Sequence, residues 1–282
     1  MRRSLAVLTG AAAAWIAVAC LDISSPAGNI LAITTVLLPT PSVVLGDDLV
    51  DTQGVVTPLK VIAFGAHGDT IPDSDVIVRF FALDTTHMLH VDSITGIAWA
   101  SSDSLAPLAK VVAQVSPANG SGVLQTTLVP LPVVPKPVSA TRSNDTTFVF
   151  SVLSNGKTVT DSFASSLLSP PLSVTLQGDG SKPVQSYVVS YSIVRSPQAT
   201  NPGDPTVVIF DRSGNDSTVA ITDVSGVASR QLRVRPGSIK DANLLIGATT
   251  DTVLVAVRVL YQGKPLTISR NDTFVVPIRG SP

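Results

Sequence analysis

Apolar and polar residues alternate along most of this chain with a period of two. Val253, Val255, Val257 and Val259 alternate with Leu254, Ala256, Arg258 and Leu260. Leu232 and Val234 alternate with Gln231, Arg233 and Arg235, and Val76, Val78 and Phe80 with Asp75, Ile77 and Arg79. Successive side chains of a strand point to opposite faces, so the pattern sets one face on a core and the other toward water. Turn signals part the runs at Gly46-Asp47, Gly65–Asp69, Asn119–Gly122, Gly178–Lys182, Asn201–Asp204 and Ser213–Asp216. Short strands at this spacing predict an all-β fold of sandwich type. Leu131–Pro137 carries three prolines and reads as an edge strand or a strand-to-strand crossing.

The pattern repeats once. Pro58-Leu59-Lys60-Val61 returns as Pro171-Leu172-Ser173-Val174, and Gly65 as Gly178. Pro72 leads to Val76, Val78 and Phe80 at the spacing with which Pro183 leads to Tyr187, Val189 and Tyr191. Gly96-Ile97-Ala98 answers Gly226-Val227-Ala228. Lys136-Pro137 and Asn144-Asp145-Thr146-Thr147-Phe148-Val149 answer Lys264-Pro265 and Asn271-Asp272-Thr273-Phe274-Val275. The matches are collinear, with offsets of 113, 111, 130, 128 and 127 residues, so the second copy holds an insertion at 195–217. This gives a first sandwich over 31–155, a Ser- and Thr-rich linker over 156–170 and a second sandwich over 171–282.

These features resemble the bacterial immunoglobulin-like domains of invasin- and intimin-type surface proteins. The resemblance rests on the Gly46-Asp47 turn, on the Pro72–Phe80 unit, and on Thr222-Asp223-Val224-Ser225-Gly226-Val227-Ala228, which looks like that family's T-D-x-x-G-x-A turn into a strand. In the first copy Asp92-Ser93 stand where Thr-Asp is expected before Gly96. The resemblance implies two tandem immunoglobulin-like sandwiches and a role in display or adhesion. Trp99 has no disulfide to pack on, which sets the chain apart from antibody-type domains.

The N-terminus carries an address. Arg2 and Arg3 precede an apolar run from Leu5 to Ala19 that is too short to span a bilayer comfortably. Charge, a short apolar core and the small residues Ala17-Val18-Ala19 make a secretory signal over 1–19. Cys20, the only cysteine, follows at once. This resembles the lipobox of bacterial lipoproteins, which implies cleavage before Cys20, acylation of its thiol and new amine, and residues 20–30 as lipidated cysteine and tether. Ala17 stands where Leu is commoner in that family. The alternative is an Ala-x-Ala site for ordinary signal peptidase. Two or more acyl chains hold a protein stably where one does not. Leu21, rather than Asp, after the cysteine favours outer-membrane sorting by the same resemblance.

Composition narrows the chemistry. All 20 acidic residues are Asp, against 19 Lys and Arg in 282 residues. Removing 1–19 takes away two Arg, leaving 17 basic against 20 acidic residues and a net charge of −3, so nothing electrostatic points to nucleic acid. A single cysteine excludes an internal disulfide framework and any CxxC site. His87 and His90 would face opposite sides of a strand, and with His67 they read as surface or edge residues. Asp69, Asp73 and Asp75, and Asp47, Asp48 and Asp51, could offer oxygens to calcium, yet Asp is also the residue that bonds its own turn. Asp211–Thr222 begins like an EF-hand loop but lacks Gly at the sixth place and Glu at the twelfth. No metal or other cofactor and no catalytic residue is assigned. Arg230, Arg233, Arg235 and Lys240 read as a solvated strand face and turn, and Tyr187 and Tyr191 as core.

The sequence therefore predicts a non-enzymatic envelope lipoprotein, lipidated at Cys20, whose sandwiches act as a spacer or display scaffold. The alternative is a surface module for an envelope protein or polysaccharide, using the 195–217 segment with Asn201, Asp204, Asp211 and Asn215 as first contacts. A hydrolase with a dispersed site is the third reading.

Overall fold

The structure, a computed structural model, describes residues 32–65, 68–120, 123–151, 167–211 and 213–281. The signal segment, Cys20, the tether, His67 and residues 156–166 of the expected linker lie outside the described residues. The fold is all-β. The N-terminal strands are β1 (Ala32–Leu37), β2 (Val43–Val44), β3 (Lys60–Phe64), β4 (Val76–Leu83), β5 (Leu89–Val91), β6 (Ala98–Ala100), β7 (Lys110–Pro117), β8 (Gln125–Pro130) and β9 (Val133–Val134). There follow β10 (Pro137–Arg142), β11 (Phe148–Ser151), β12 (Leu172–Gly178), β13 (Val188–Arg195), β14 (Val207–Phe210), β15 (Val219–Ile221), β16 (Val227–Val234), β17 (Asp251–Arg258), β18 (Leu260–Tyr261), β19 (Lys264–Pro265), β20 (Ile268–Ser269) and β21 (Thr273–Ser281). One helical turn, α1 (Ala242–Leu245), has its Asn243 N–H capped by the Asp241 carboxylate.

By contact the chain divides into two compact units. Of the described residues, the smaller holds 32–36, 61–65, 68–78, 114–120 and 123–127. Its core is Ala63, Ile71 and Val115, with Val61, Val76 and Val78 packed against them. The Ile71 N–H donates to the Ala63 carbonyl (2.9 Å) and the Gly65 N–H to the Asp69 carbonyl (2.9 Å), closing the turn after β3.

Of the described residues, the larger unit holds 37–60, 79–113, 128–151, 167–211 and 213–281. Near its start β2 runs parallel to β9, Val43 beside Val133 and Val44 beside Val134, so the proline-rich Leu131–Pro137 segment supplies a short strand. Its C-terminal part is a sandwich of two five-stranded sheets, ordered β14-β16-β12-β10-β20 and β11-β21-β17-β13-β15. Alternation along β17 and just past its end does what the sequence predicts: Val253, Val255, Val257 and, beyond the strand, Val259 are all buried. They meet Leu172, Val174, Leu176, Leu232 and Val234 of the facing sheet in one core. Each such side chain contributes about 1.5–3 kcal/mol by leaving water. Tyr191 crosses that core, 1% exposed, and its hydroxyl reaches the carbonyls of Leu172 (3.3 Å) and Ala228 (3.2 Å) on the opposite sheet. Burial pushes this phenol well above its ordinary pKa, so it stays a proton donor there.

Three details depart from the sequence reading. Residues 137–151, placed by sequence in the first domain, supply β10 and β11 to the C-terminal sheets, where β11 pairs in parallel with β21 and β10 with β20. The two Asn-Asp-Thr runs, matched as equivalent positions of two copies, thus flank one seam of one sandwich. The segment 195–217 is not a single loop, because β14 lies inside it and pairs with β16 from Val207↔Val234 to Phe210↔Gln231. Arg233 is buried rather than solvated, 6% exposed, with its guanidinium 5.2 Å from the Phe210 ring centroid. An extended guanidinium can lie flat on an aromatic ring where an ammonium would keep its water.

Candidate functional site

The aspartates resolve into one recurring device. Asp51 accepts the N–H of Gln53 (2.8 Å) and Val55 (3.0 Å). Asp211 accepts those of Ser213 (2.8 Å) and Asn215 (2.9 Å), and Asp223 those of Ser225 (2.9 Å) and Val227 (3.0 Å). Asp84 accepts Thr86 (2.9 Å) and Met88 (2.6 Å). In each turn the carboxylate takes the second and fourth N–H beyond it, and the third residue has positive φ: Gly54, Gly214, Gly226 and His87. The short Asp side chain reaches its own backbone in this way. A Glu side chain is one methylene longer and has no such preference, which fits a chain rich in Asp and without Glu.

Electrostatics follow the bonds. Burial alone would raise the Asp84 pKa, but the Thr86 hydroxyl and the N–H groups of Leu89, Thr86 and Met88 outweigh it and hold the carboxyl at about 2. Asp92 is lowered by the N–H and hydroxyl of Thr95 and the N–H of Ile94. Asp211 is lowered chiefly by the N–H of Asn215. These carboxylates are charged and occupied by their own turns.

The T-D-x-x-G-x-A stretch now has a job for each residue. The buried Thr222 hydroxyl donates to the Val184 carbonyl (2.6 Å) and accepts the Tyr187 N–H (2.9 Å). Asp223 holds the turn. Gly226 has φ +75°, and a Cβ there would sit 2.5 Å from the Leu176 carbonyl oxygen. Ala228, 1% exposed, enters the core.

Two of the three histidines, His87 and His90, lie among the described residues. His87 occupies the positive-φ place of the Asp84 turn. His90 stacks on Trp99 across β5 and β6, centroids 5.4 Å apart, with Nε2 2.9 Å from the Ser101 hydroxyl. Asp73 and Asp75 sit in a 3-10 turn before β4, where the Ser74 hydroxyl donates to Asp75 (3.1 Å). Among the described residues no three His, Cys, Asp or Glu side chains are gathered where they could hold a metal ion.

The candidate contact residues fall at the two ends of β14. Asn201 donates to Asp204 (3.0 Å) in the exposed turn before it, while Asp211 and Asn215 form the turn after it. Four residues of strand, about 13 Å, lie between the two turns. An open trough of about 410 Å³ runs beside this strand, lined by Ser192, Ile193, Val207, Ile209, Asp216 and Thr218.

A second cleft, missed by the sequence reading, gathers Thr40, Asp47, Asp51, Tyr187, Tyr261 and Gln262. The Tyr261 hydroxyl donates to Asp47 (2.7 Å), the Tyr187 hydroxyl to the Leu260 carbonyl (2.7 Å), and the Lys136 ammonium lies 5.2 Å from the Tyr261 ring centroid. Burial first, and Asp47 second, raise both phenols above their ordinary range. Gly54 and Gly263 meet backbone to backbone beside it: a Cβ on Gly263 would lie 2.3 Å from the Gln53 carbonyl oxygen. The space is about 60 Å³, room for a few waters. Small-molecule sites run to roughly 300–1,000 Å³. No signal of period or motif joins residue 47 to residue 261, so only the fold reveals the pair.

No family model matches the chain, and no curated protein matches it. Solved structures do. Domains 4 and 5 of the S-layer protein SbsC align over 90% of this chain and 100% of their own, at 12% identity and a TM-score of 0.28. The adhesin InvE of Yersinia pseudotuberculosis aligns over 89% of this chain and 60% of its own, at 14% identity and a TM-score of 0.34. Domains EC22-24 of mouse cadherin-23 align over 87% and 64%, at 15% identity and a TM-score of 0.23.

Proposed function

We propose that this chain is a non-enzymatic lipoprotein of the cell envelope, anchored through Cys20, whose sandwiches serve as a spacer or display scaffold. The observation that supports it is the use of its carboxylates. Asp51, Asp84, Asp92, Asp211 and Asp223 each accept backbone N–H groups of their own turns. Of the side chains that sequence offered for calcium, Asp51 and Asp211 are thereby engaged in holding their own turns. The Cys20 anchor and the Leu21 sorting signal would place the protein at the outer membrane.

Labelled palmitate should enter the wild type and not Cys20→Ser, and a wild type that never takes up label overturns the anchor. For the scaffold, the test is a replacement of Asn201–Asp204 by a Gly-Ser turn, which spares β14. A spacer keeps full function after this change. Loss of adhesion to an envelope protein or polysaccharide would move the assignment to the binding module, for which the trough beside β14 is the supporting feature.

A further inference from the structure

We infer that the exposed sheet face around Trp99 binds a polysaccharide that carries free amino groups. The inference goes beyond the scaffold reading and needs no anchor. Three residues stand in one row across the sheet. His90 on β5 pairs with Trp99 on β6, and Trp99 pairs with Asp48 on the neighbouring 47–50 segment. The Leu49 N–H donates to the Ala98 carbonyl (2.8 Å) and the Ala100 N–H to the Asp47 carbonyl (2.9 Å). Asp48 and Trp99 therefore face each other without exchanging hydrogen bonds, the kind of antiparallel pair whose side chains stand closest. Leu49, Leu89, Ala98 and Ala100, the sequence neighbours of this row, are buried. The row itself points the other way, to water, and Trp99 is 39% exposed.

The indole is held from one side only. There His90 stacks on it, planes 16° apart, and is itself fixed by the Ser101 hydroxyl. On the other side the neighbours are short: Asp48 directly across, and Gly46, whose N–H donates to the Ser101 carbonyl (3.2 Å). One ring face is thus left open, and the negative face of an indole attracts cations and the C–H bonds of a flat ring. Asp48 adds a charge that the fold does not use. Unlike the aspartates of the turns, its carboxylate has no hydrogen-bond or ion-pair partner among the described residues. The surroundings have the same sign. Segments 37–59 and 80–109, which build this face, contain Asp47, Asp48, Asp51, Asp84, Asp92 and Asp103 and no Lys or Arg. Such a field draws a cationic polymer and repels a phosphate or uronate one. A lone lysine ammonium would meet one ring and one carboxylate at an exposed place, for about 0.5–1 kcal/mol. An amino sugar brings the same cation together with ring C–H groups for the indole and hydroxyls for the Ser101 side chain. Size agrees: three strands wide and three residues long, the platform spans roughly 10 by 14 Å, a short run of sugar rings. A stable protein interface needs about 800 Å² per partner.

The experiment is isothermal titration calorimetry on the full chain with a glucosamine hexamer, the same hexamer fully N-acetylated, and a lysine hexapeptide. Saturable binding of the glucosamine hexamer is expected, with the other two probes weaker by roughly fivefold or more. Trp99→Ala should lower affinity for the glucosamine hexamer by roughly tenfold. Asp48→Asn should lower it by roughly threefold, flatten its dependence on salt and leave the acetylated hexamer unaffected. No saturable binding, or binding that neither substitution weakens, overturns the proposal. Equal binding of the acetylated hexamer overturns it by removing the amine from recognition, and equal or tighter binding of the lysine peptide overturns it in favour of a basic protein partner. Should Trp99→Ala fail to fold by circular dichroism, Asp48→Asn decides alone, since no described residue of the fold leans on that carboxylate. The anchor reading fails separately: a chain that takes up no palmitate can still bind the hexamer.

Discussion

The turn at Asp92–Gly96 and the turn at Asp223–Gly226 reach the same end by different residues. Both glycines have positive φ, +71° and +75°. The Gly96 carbonyl accepts the Leu59 N–H (3.0 Å) and the Gly226 carbonyl accepts the Leu176 N–H (2.8 Å). Each turn then delivers a buried alanine, Ala98 or Ala228. The aspartate, however, stands four residues before the glycine in one turn and three before it in the other. Asp92 bonds the N–H of Ile94 and Thr95 (3.0 and 2.7 Å), Asp223 those of Ser225 and Val227 (2.9 and 3.0 Å). What stays constant is a glycine whose backbone touches the neighbouring strand. The carboxylate is free to move by one residue so long as it can reach two N–H groups.

The largest test of that difference is at the glycines. A Cβ on Gly226 would sit 2.5 Å from the Leu176 oxygen and 3.1 Å from the Val184 nitrogen, both backbone. On Gly96 it would meet the Phe80 ring at 2.8 Å and the Leu59 oxygen at 3.0 Å. A left-handed Cβ costs about 1–2 kcal/mol in either place. The ring can turn aside and the β12 backbone cannot. Gly226→Ala should therefore lose about 2–4 kcal/mol and Gly96→Ala about 1–2 kcal/mol in urea unfolding. Equal losses would mean that the two approaches are equally tight.

Tyr191 and Phe80 sharpen the comparison at the next level down. They answer one another in the repeat, and both are buried, but only Tyr191 sends a hydroxyl to the facing sheet. Tyr191→Phe should cost about 0.5–1.5 kcal/mol, the net worth of a typical hydrogen bond. A neutral result would show that the two long contacts, 3.2 and 3.3 Å, contribute packing only.

These residues also mark how far the chain could be read without its fold. Alternation named the core residues Leu232 and Val234 of β16 and the valines of β17, because burial on one sheet face is a local period of two. The Gly96 and Gly226 turns were visible because positive φ favours one residue type. Strand partners were not. Ala140 pairs with Ile268 and Phe148 with Ile278, and no local pattern announces a parallel partner more than a hundred residues away. The similarity of Asn144–Val149 to Asn271–Val275 suggested two equivalent places in two domains, whereas both runs flank one seam. β14 was swallowed by the expected insertion although turn signals at Asn201–Asp204 and Ser213–Asp216 bracket it. Arg233 was read as solvated from its charge, which says nothing of the Phe210 ring that covers it. Among the candidate contacts, the pairing of Asn201 with Asp204 and of Asp211 with Asn215 was within reach of turn chemistry. That β14 separates them was not.

A smaller effect separates Asp84 from the other turns by pH. Its carboxyl is held at about 2 against an ordinary 3.8. A depressed carboxylate contributes stability that is fully present above the ordinary value and is lost as pH falls from about 4 toward 2. The residue is only partly buried, so solvent screening keeps the contribution below about 1 kcal/mol. Asp84→Asn should be less stable than the wild type at pH 7, and the gap should close by pH 2. A gap that persists there would assign the loss to turn geometry rather than to charge.

The smallest effect lies in the same turn. Three of the four turns with second and fourth N–H bonds place Gly at the positive-φ position, as Gly54, Gly214 and Gly226; the fourth places His87, at φ +58°. A non-glycine residue there bears about 1–2 kcal/mol of strain. Glycine removes the strain but gives the unfolded chain more freedom, which returns about 0.4–1 kcal/mol. His87→Gly should therefore raise stability by only a few tenths of a kcal/mol, up to about 1 kcal/mol, a shift readable as a higher urea midpoint at unchanged slope. A fall in the midpoint would show that the imidazole itself holds the turn, and the Asp84 turn would then differ in kind from the other three.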